Sequence, residues 1–245
     1  MTDPHRSPPS RAGALRASFL VLSLALLSLG SAQVPLGDDL VRDGDFAAAI
    51  DAYTVALDRD GEDVRALYQR SRARVYRADD DATLSDDERE ALYEAAVADA
   101  ERAVELDEGE AEAHFELARA LGRTAQFRGV LQSLNLAARM SDALDRAIEL
   151  DPEHAGAWHA RALWHAEVPW FAGGRGGLVE PSFERAIEIE PDVIGHRVAY
   201  AEVLIDREAY DRAAEQLAAA LALSPSTYLE GEDLAKAEEL QARLP

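Results

Sequence analysis

One pattern recurs five times in this chain and fixes most of what it can fold into. It is an apolar residue, an alanine three positions later, and a turn residue five positions after that. The copies read Tyr53-Ala56-Gly61, Ala100-Ala103-Glu108, Leu144-Ala147-Pro152, Phe183-Ala186-Pro191 and Leu217-Ala220-Pro225. A spacing of three puts the apolar residue and the alanine on one helix face. Alanine at that point lets a second helix approach closely, and a following proline cannot continue the helix. The flanks repeat too, as in Arg146-Ala-Ile-Glu-Leu-Asp-Pro152 and Arg185-Ala-Ile-Glu-Ile-Glu-Pro191. Such self-similarity marks a stack of helical units, each burying its face on the next.

The pattern resembles the tetratricopeptide repeat, whose second helix carries alanine, a large apolar residue, alanine and then proline over a period of about 34 residues. That family's first helix has a small residue at its eighth position, and Gly37, Ser71, Ala118, Ala162 and Ala201 fall there. The unit from Asp192 to Pro225 fits the family period without a gap. Earlier units are longer, with successive closing residues 47, 44, 39 and 34 apart, and the excess falls near the turn inside each hairpin. The resemblance implies an all-α, right-handed solenoid of about five stacked helical hairpins over residues 33–225. A capping helix is expected in 226–245, where Leu229 to Leu244 reads as a solvated end helix.

A further resemblance covers Ala111 to Asp192. The lengthened hairpin from Leu121 to Pro152, then Trp158, then Glu167-Val-Pro-Trp-Phe171, is similar to the regulator of microtubule dynamics family. Those are tetratricopeptide proteins whose animal members are linked to microtubules and organelle contacts. The resemblance implies the fold; an export signal departs from a cytoskeletal role, so that role is not carried over.

The export signal is read from the first 32 residues. Arg6, Arg11 and Arg16 precede an apolar run from Phe19 to Leu29, eleven residues long and too short to span a bilayer, which takes about twenty. Gly30-Ser31-Ala32 supplies small residues for signal peptidase, so cleavage after Ala32 is expected; retention as an anchor is the alternative. The mature chain would be periplasmic or extracellular, with no membrane span. There is no cysteine, which excludes disulfides, thiol chemistry and a Cys-anchored lipoprotein. The exported setting is also similar to that of bacterial tetratricopeptide proteins that work beside periplasmic solute-binding transporters, although those are typically lipoproteins.

Charge narrows the partners. The net charge is −22, from 47 acidic and 25 basic residues. Nucleic acid is disfavoured, because its binding rests on neutralising phosphates with Lys and Arg. An anionic membrane surface is disfavoured for the same reason.

No motif supports an enzyme, a cofactor or a metal. Asp79, Asp81, Thr83, Ser85, Asp87 and Glu90 have the spacing of a calcium loop, but Leu84 stands where the sharp turn calls for glycine. Ser85 with Glu88 reads instead as a capping box that starts a helix halfway through the loop. His154, His159 and His165 are five and six apart, not at the four-residue spacing of helical zinc ligands. Gly173-Gly-Arg-Gly-Gly177 follows no strand and precedes no Lys-Ser/Thr, so it reads as a loop rather than a phosphate cradle.

The remaining candidate is the first-helix face that lines the hollow of such a stack. Family positions five and nine fall on Tyr68 and Arg72, Phe115 and Arg119, His159 and Leu163, Val198 and Glu202. An aromatic followed four later by arginine, in two successive units, brings two cations into the groove; Glu112 and Glu116 are the acids that would otherwise pair with them. The expected partner is a protein or peptide segment, held by Tyr68, Arg72, Phe115, Arg119, His159, Trp170 and Phe171. Trp170 and Phe171 are expected to drape over the stack, because burying each is worth about 1.5–3 kcal/mol. An alternative is a transporter-associated subunit that holds an apolar small molecule in a pocket of Trp158, Trp164, Trp170 and Phe171.

Overall fold

A computed structural model describes residues 33–129 and 133–245; the export segment 1–32 and its cleavage point lie outside the described residues. Among the described residues there are eleven α-helices and no strand. Five hairpins follow one another: α1 (Gln33–Asp43) with α2 (Phe46–Leu57), α3 (Val64–Asp80) with α4 (Asp86–Leu106), α5 (Ala111–Arg128) with α6 (Leu134–Leu150), α7 (Ala155–Glu167) with α8 (Val179–Ile189), and α9 (Ile194–Asp206) with α10 (Tyr210–Leu221). Helix α11 (Tyr228–Ala242) ends the stack.

The repeat residues are where the helices meet. Each apolar–alanine pair of the closing pattern is buried, and so is each small residue at the eighth position of a first helix. A β-carbon at Gly37 would overlap the Tyr53 ring, so the first unit needs glycine where the others accept serine or alanine. At the second unit Ser71 is fully buried and its hydroxyl donates to the Ala96 carbonyl at 2.9 Å, which ties α3 to α4. The apolar interior is a succession of clusters rather than one core. It runs from Val34, Ala49 and Tyr53 through Phe115, Leu144 and Trp164 to Phe183, Tyr200, Leu217 and Ala237.

The extra length of the early units goes largely into helix. Helices α3 and α4 have 17 and 21 residues, against 13 and 12 for α9 and α10. In the fourth unit it forms a connection from Val168 to Leu178 that contains two 3-10 turns, Trp170–Ala172 and Gly176–Leu178. The acidic stretch from Asp79 to Glu90 is divided between the end of α3, a short turn and the start of α4. Ser85 accepts from the Glu88 amide while Glu88 accepts from the Ser85 amide at 2.9 Å, a reciprocal cap that starts α4 at Asp86. Asp79 is engaged by the Tyr93 hydroxyl at 2.6 Å and by Arg123 at 3.0 Å.

The last helix does more than cover the end of the stack. It packs on α9 and α10, and it also touches α1. Tyr228, at its first turn, donates a hydrogen bond to Asp80 at 2.9 Å and meets the Phe46 ring edge-on, with centroids 6.0 Å apart. Gly44 receives that ring: its φ is +84°, and a β-carbon there would come within 2.5 Å of the Tyr228 ring. The stack therefore closes on itself.

Candidate functional site

On the first-helix face, Arg72 and Arg119 meet at Glu116, with Phe115 stacked on Arg119 and Tyr68 beside Glu112. The Glu116 carboxylate, on α5, is fully buried. Arg72, from the preceding hairpin, donates to it from Nε at 2.7 Å, and the Arg119 Nε lies 3.5 Å from its other oxygen. Arg119 is also flattened between two rings, its guanidinium carbon 4.6 Å from the Phe115 centroid and 5.2 Å from that of Tyr76. The Tyr76 hydroxyl accepts a hydrogen bond from Arg119. Such stacking suits a planar, weakly hydrated guanidinium, and lysine would not reproduce it.

A second carboxylate completes the network. Glu112 accepts from Arg72 and lies 3.0 Å from Nε2 of His154, the residue that caps α7. Burial alone would raise the Glu112 carboxyl, but the His154 hydrogen bond and the Arg72 charge outweigh it and bring it down to about 2. Tyr68, half-buried beside this group, has its phenol pushed up to about 12 by burial and by Glu110 and Glu112. Phe115 packs on His154 at 4.5 Å between centroids and faces Gly156, where a β-carbon would fall 2.7 Å from the ring. Two cations thus face two carboxylates, and the face offers no surplus positive charge. The acid pairing that the sequence allowed is what the structure contains.

His159 lies farther along the same face. Its Nδ1 is 3.0 Å from Nδ1 of His196 on α9, and its ring stands edge-on to Phe183. Burial, then the neighbouring His196 and Arg119, lowers His159 to about 3; burial and Arg197 lower His196 to about 4. Both imidazoles are neutral at pH 7. His154, His159 and His165 have separate engagements, with His165 accepting the Arg175 amide at 3.3 Å.

Trp170 and Phe171 do not drape over the stack: they are 85% and 63% exposed. The backbone explains the difference. The Ala172 and Gly174 amides both donate to the Pro169 carbonyl, at 2.9 and 3.2 Å, and Gly173 has a φ of +106°. Gly174 lies so close to the Val168 carbonyl that a β-carbon would overlap it. A turn this tight folds inward on its glycines and carries the two rings outward. The same exposure removes the enclosed aromatic pocket. Trp164 is buried with its indole donating to the Ala137 carbonyl at 2.8 Å, Trp158 donates to the Pro152 carbonyl, and the other two rings stand in solvent.

Comparison with known proteins bears on both halves of this picture. The family described as regulator of microtubule dynamics protein 1-3 matches residues 36–171, more than half of the chain. The chain belongs to the regulator of microtubule dynamics family. The match takes in the first three hairpins and α7, and it ends at Phe171, on the exposed turn. It begins well before the Ala111 to Asp192 stretch that carries the resemblance in sequence. Regulator of microtubule dynamics protein 1 of Bos taurus is 28% identical over 149 residues, covering 55% of this chain and 47% of that protein. Its counterpart in Pongo abelii is 29% identical over 116 residues, covering 46% and 37%. The chain thus spans less than half the length of these curated relatives. Among solved structures, a tetratricopeptide-repeat protein of Thermus thermophilus superposes with a TM-score of 0.69 at 21% identity, covering 86% of this chain and 99% of that one. One from Parabacteroides merdae gives 0.57 at 16%, covering 92% and 81%. These likenesses establish the tetratricopeptide-like fold of this family member. No helix among its described residues is long and apolar enough to cross a membrane.

Proposed function

We propose that this protein is a protein-binding scaffold that works outside the cytoplasm, and that its partner engages the exposed Trp170–Phe171 turn together with the first-helix face. The exposed aromatic pair is the observation that carries the reading. Leaving each ring in water forgoes about 1.5–3 kcal/mol of burial, and a glycine-pinned turn presents both at little further ordering cost on binding. Trp is also among the residues that most often anchor protein interfaces. Arg175 and Arg207, whose Nη1 reaches the Gly176 carbonyl at 3.4 Å, flank the turn and favour a partner surface with carboxylates around an apolar pocket.

Export is supported by the basic-then-apolar pattern of residues 1–32, and the mature chain is expected to begin at Gln33. The relatives are named for microtubule dynamics, and export places this chain where it would not meet microtubules. The test is affinity capture from the native envelope fraction, with parent and Trp170→Ala/Phe171→Ala chains compared. The reading requires a specific partner that the parent retains and the double variant loses while keeping its helical fold. Equal retention would remove the turn from the interface. Arg72→Ala and Arg119→Ala are poorer probes, because each leaves Glu116 buried with half its compensation.

A further inference from the structure

The first helices form a closed circuit. Helix α1 contacts α3, α3 contacts α5, and α5 contacts α7. The His159–His196 pair joins α7 to α9, α9 contacts α11, and α11 returns to α1. An open solenoid has a groove that a partner can enter from the side; a circuit bounded all round does not. The contact that completes it is small and local: the Tyr228 ring against Gly44 and Phe46, with its hydroxyl on Asp80.

That contact is also wired to the candidate groove residues. Phe46 packs on Tyr76 with centroids 5.4 Å apart. Tyr76 stacks on Arg119 and bonds to it, and Arg119 lies over Phe115. A continuous file of rings and one guanidinium therefore runs from α11 through α2 and α3 to α5. Tyr228 itself stays 38% exposed, and its release would uncover the otherwise buried Phe46 ring that it meets.

We infer that the Tyr228 end of helix α11 is a gate: docked on Gly44, Phe46 and Asp80 it closes the first-helix groove, and its release admits a protein segment to the face around Tyr68, Phe115 and Arg119. This rests on the reading of that face as a protein-binding surface. Docking and binding are then linked, and the linkage is reciprocal. A segment that binds only the open form holds the gate open, and weakening the gate tightens binding.

The chain contains no cysteine, so introduced cysteines are unique labels. The first measurement places spin labels at Asp43→Cys and Glu232→Cys, on α1 and α11, in the full chain. A single short distance is expected, and adding Tyr228→Ala should lengthen and broaden it. The second follows maleimide labelling of a lone cysteine at Tyr68→Cys. Tyr68 is only half-buried with the gate docked, so removing the gate should raise the labelling rate above the parent's. Asp80→Ala, which spares the ring contacts, should give an intermediate rate, and it serves in place of Tyr228→Ala should that variant lose its helical spectrum. Distances and labelling rates equal to the parent's in both variants would overturn the gate. Neither measurement needs a partner. A failed capture experiment with a responsive label would therefore fault the scaffold reading and leave the gate standing, whereas a captured partner bound no more tightly by Tyr228→Ala would fault the gate alone.

Discussion

Arg72 donates from Nε to the buried Glu116 at 2.7 Å, across the seam between the second and third hairpins. With Arg119 on the other side of the same carboxylate, this is a buried ionic node that stitches two repeats together. Removing one partner of such a node leaves uncompensated charge, which typically costs about 3–5 kcal/mol. Glu116→Ala is expected to fall in that range by urea denaturation. Glu116→Gln should cost less, because the amide keeps an acceptor for Arg72.

The histidine pair sets an acid limit. Both imidazoles are depressed in the fold, to about 3 and about 4, from an ordinary value of 6.5. A depressed pKa contributes stability that is full above pH 6.5 and is lost as pH falls toward 4, because the unfolded chain takes up protons that the folded chain refuses. Melting temperature should therefore drop through this window, and His159→Phe should flatten the drop. A profile with the same slope in parent and variant would assign the acid response elsewhere.

Asp233 acts in the opposite sense. Burial, together with Glu230, Glu202 and Glu232 and against Lys236, raises its carboxyl from 3.8 to about 6. A raised pKa contributes stability that is full below pH 3.8 and disappears as pH rises through 6. At pH 7 the ionised carboxylate strains the docking of α11 beside Gly195, where a β-carbon would sit 2.6 Å from its oxygen. Asp233→Asn should raise the melting temperature at pH 7 and have little effect at pH 4.

Ala147 and Ala186 are fully buried at helix contacts. Replacing either with leucine should destabilise by about 1–3 kcal/mol through overpacking. Chemical denaturation of the two variants measures this, and unchanged midpoints in both would mean that these alanines are not the close-approach points of the repeat.

Trp170→Ala should leave stability within about 0.5 kcal/mol of the parent, the usual range for an exposed position. Thermal melts of the free protein test this directly. A clear loss of stability would mean that the ring packs in solution.

The repeat was legible because close helix approach demands small side chains at fixed intervals, and that demand writes a periodic signal. Gly37, Ser71, Ala118, Ala162 and Ala201 could be found without coordinates, and so could the Ser85–Glu88 cap. The acids that neutralise Arg72 and Arg119 were visible as neighbours on the same faces, but which arginine meets which carboxylate depends on the offset between hairpins. Trp170 and Phe171 went the other way, because hydrophobicity argues for burial while the glycines beside them dictate a turn that points outward. The Tyr228 contact left only a faint trace. Its partners come from the far end of the chain, and the single hint is a glycine at position 44 with nothing nearby to require it.

That contact joins residues 148 positions apart, and it changes how the chain should come apart. In an ordinary repeat array each unit leans only on its neighbours, so terminal units fray and unfolding spreads inward from either end. Joining the two ends leaves no free terminus to fray from, and the first hairpin should exchange its amides no faster than the last. Cooperativity comes with a kinetic cost. The joining contact closes a loop through almost the entire fold, so it is the natural last step of folding and the natural first step of opening.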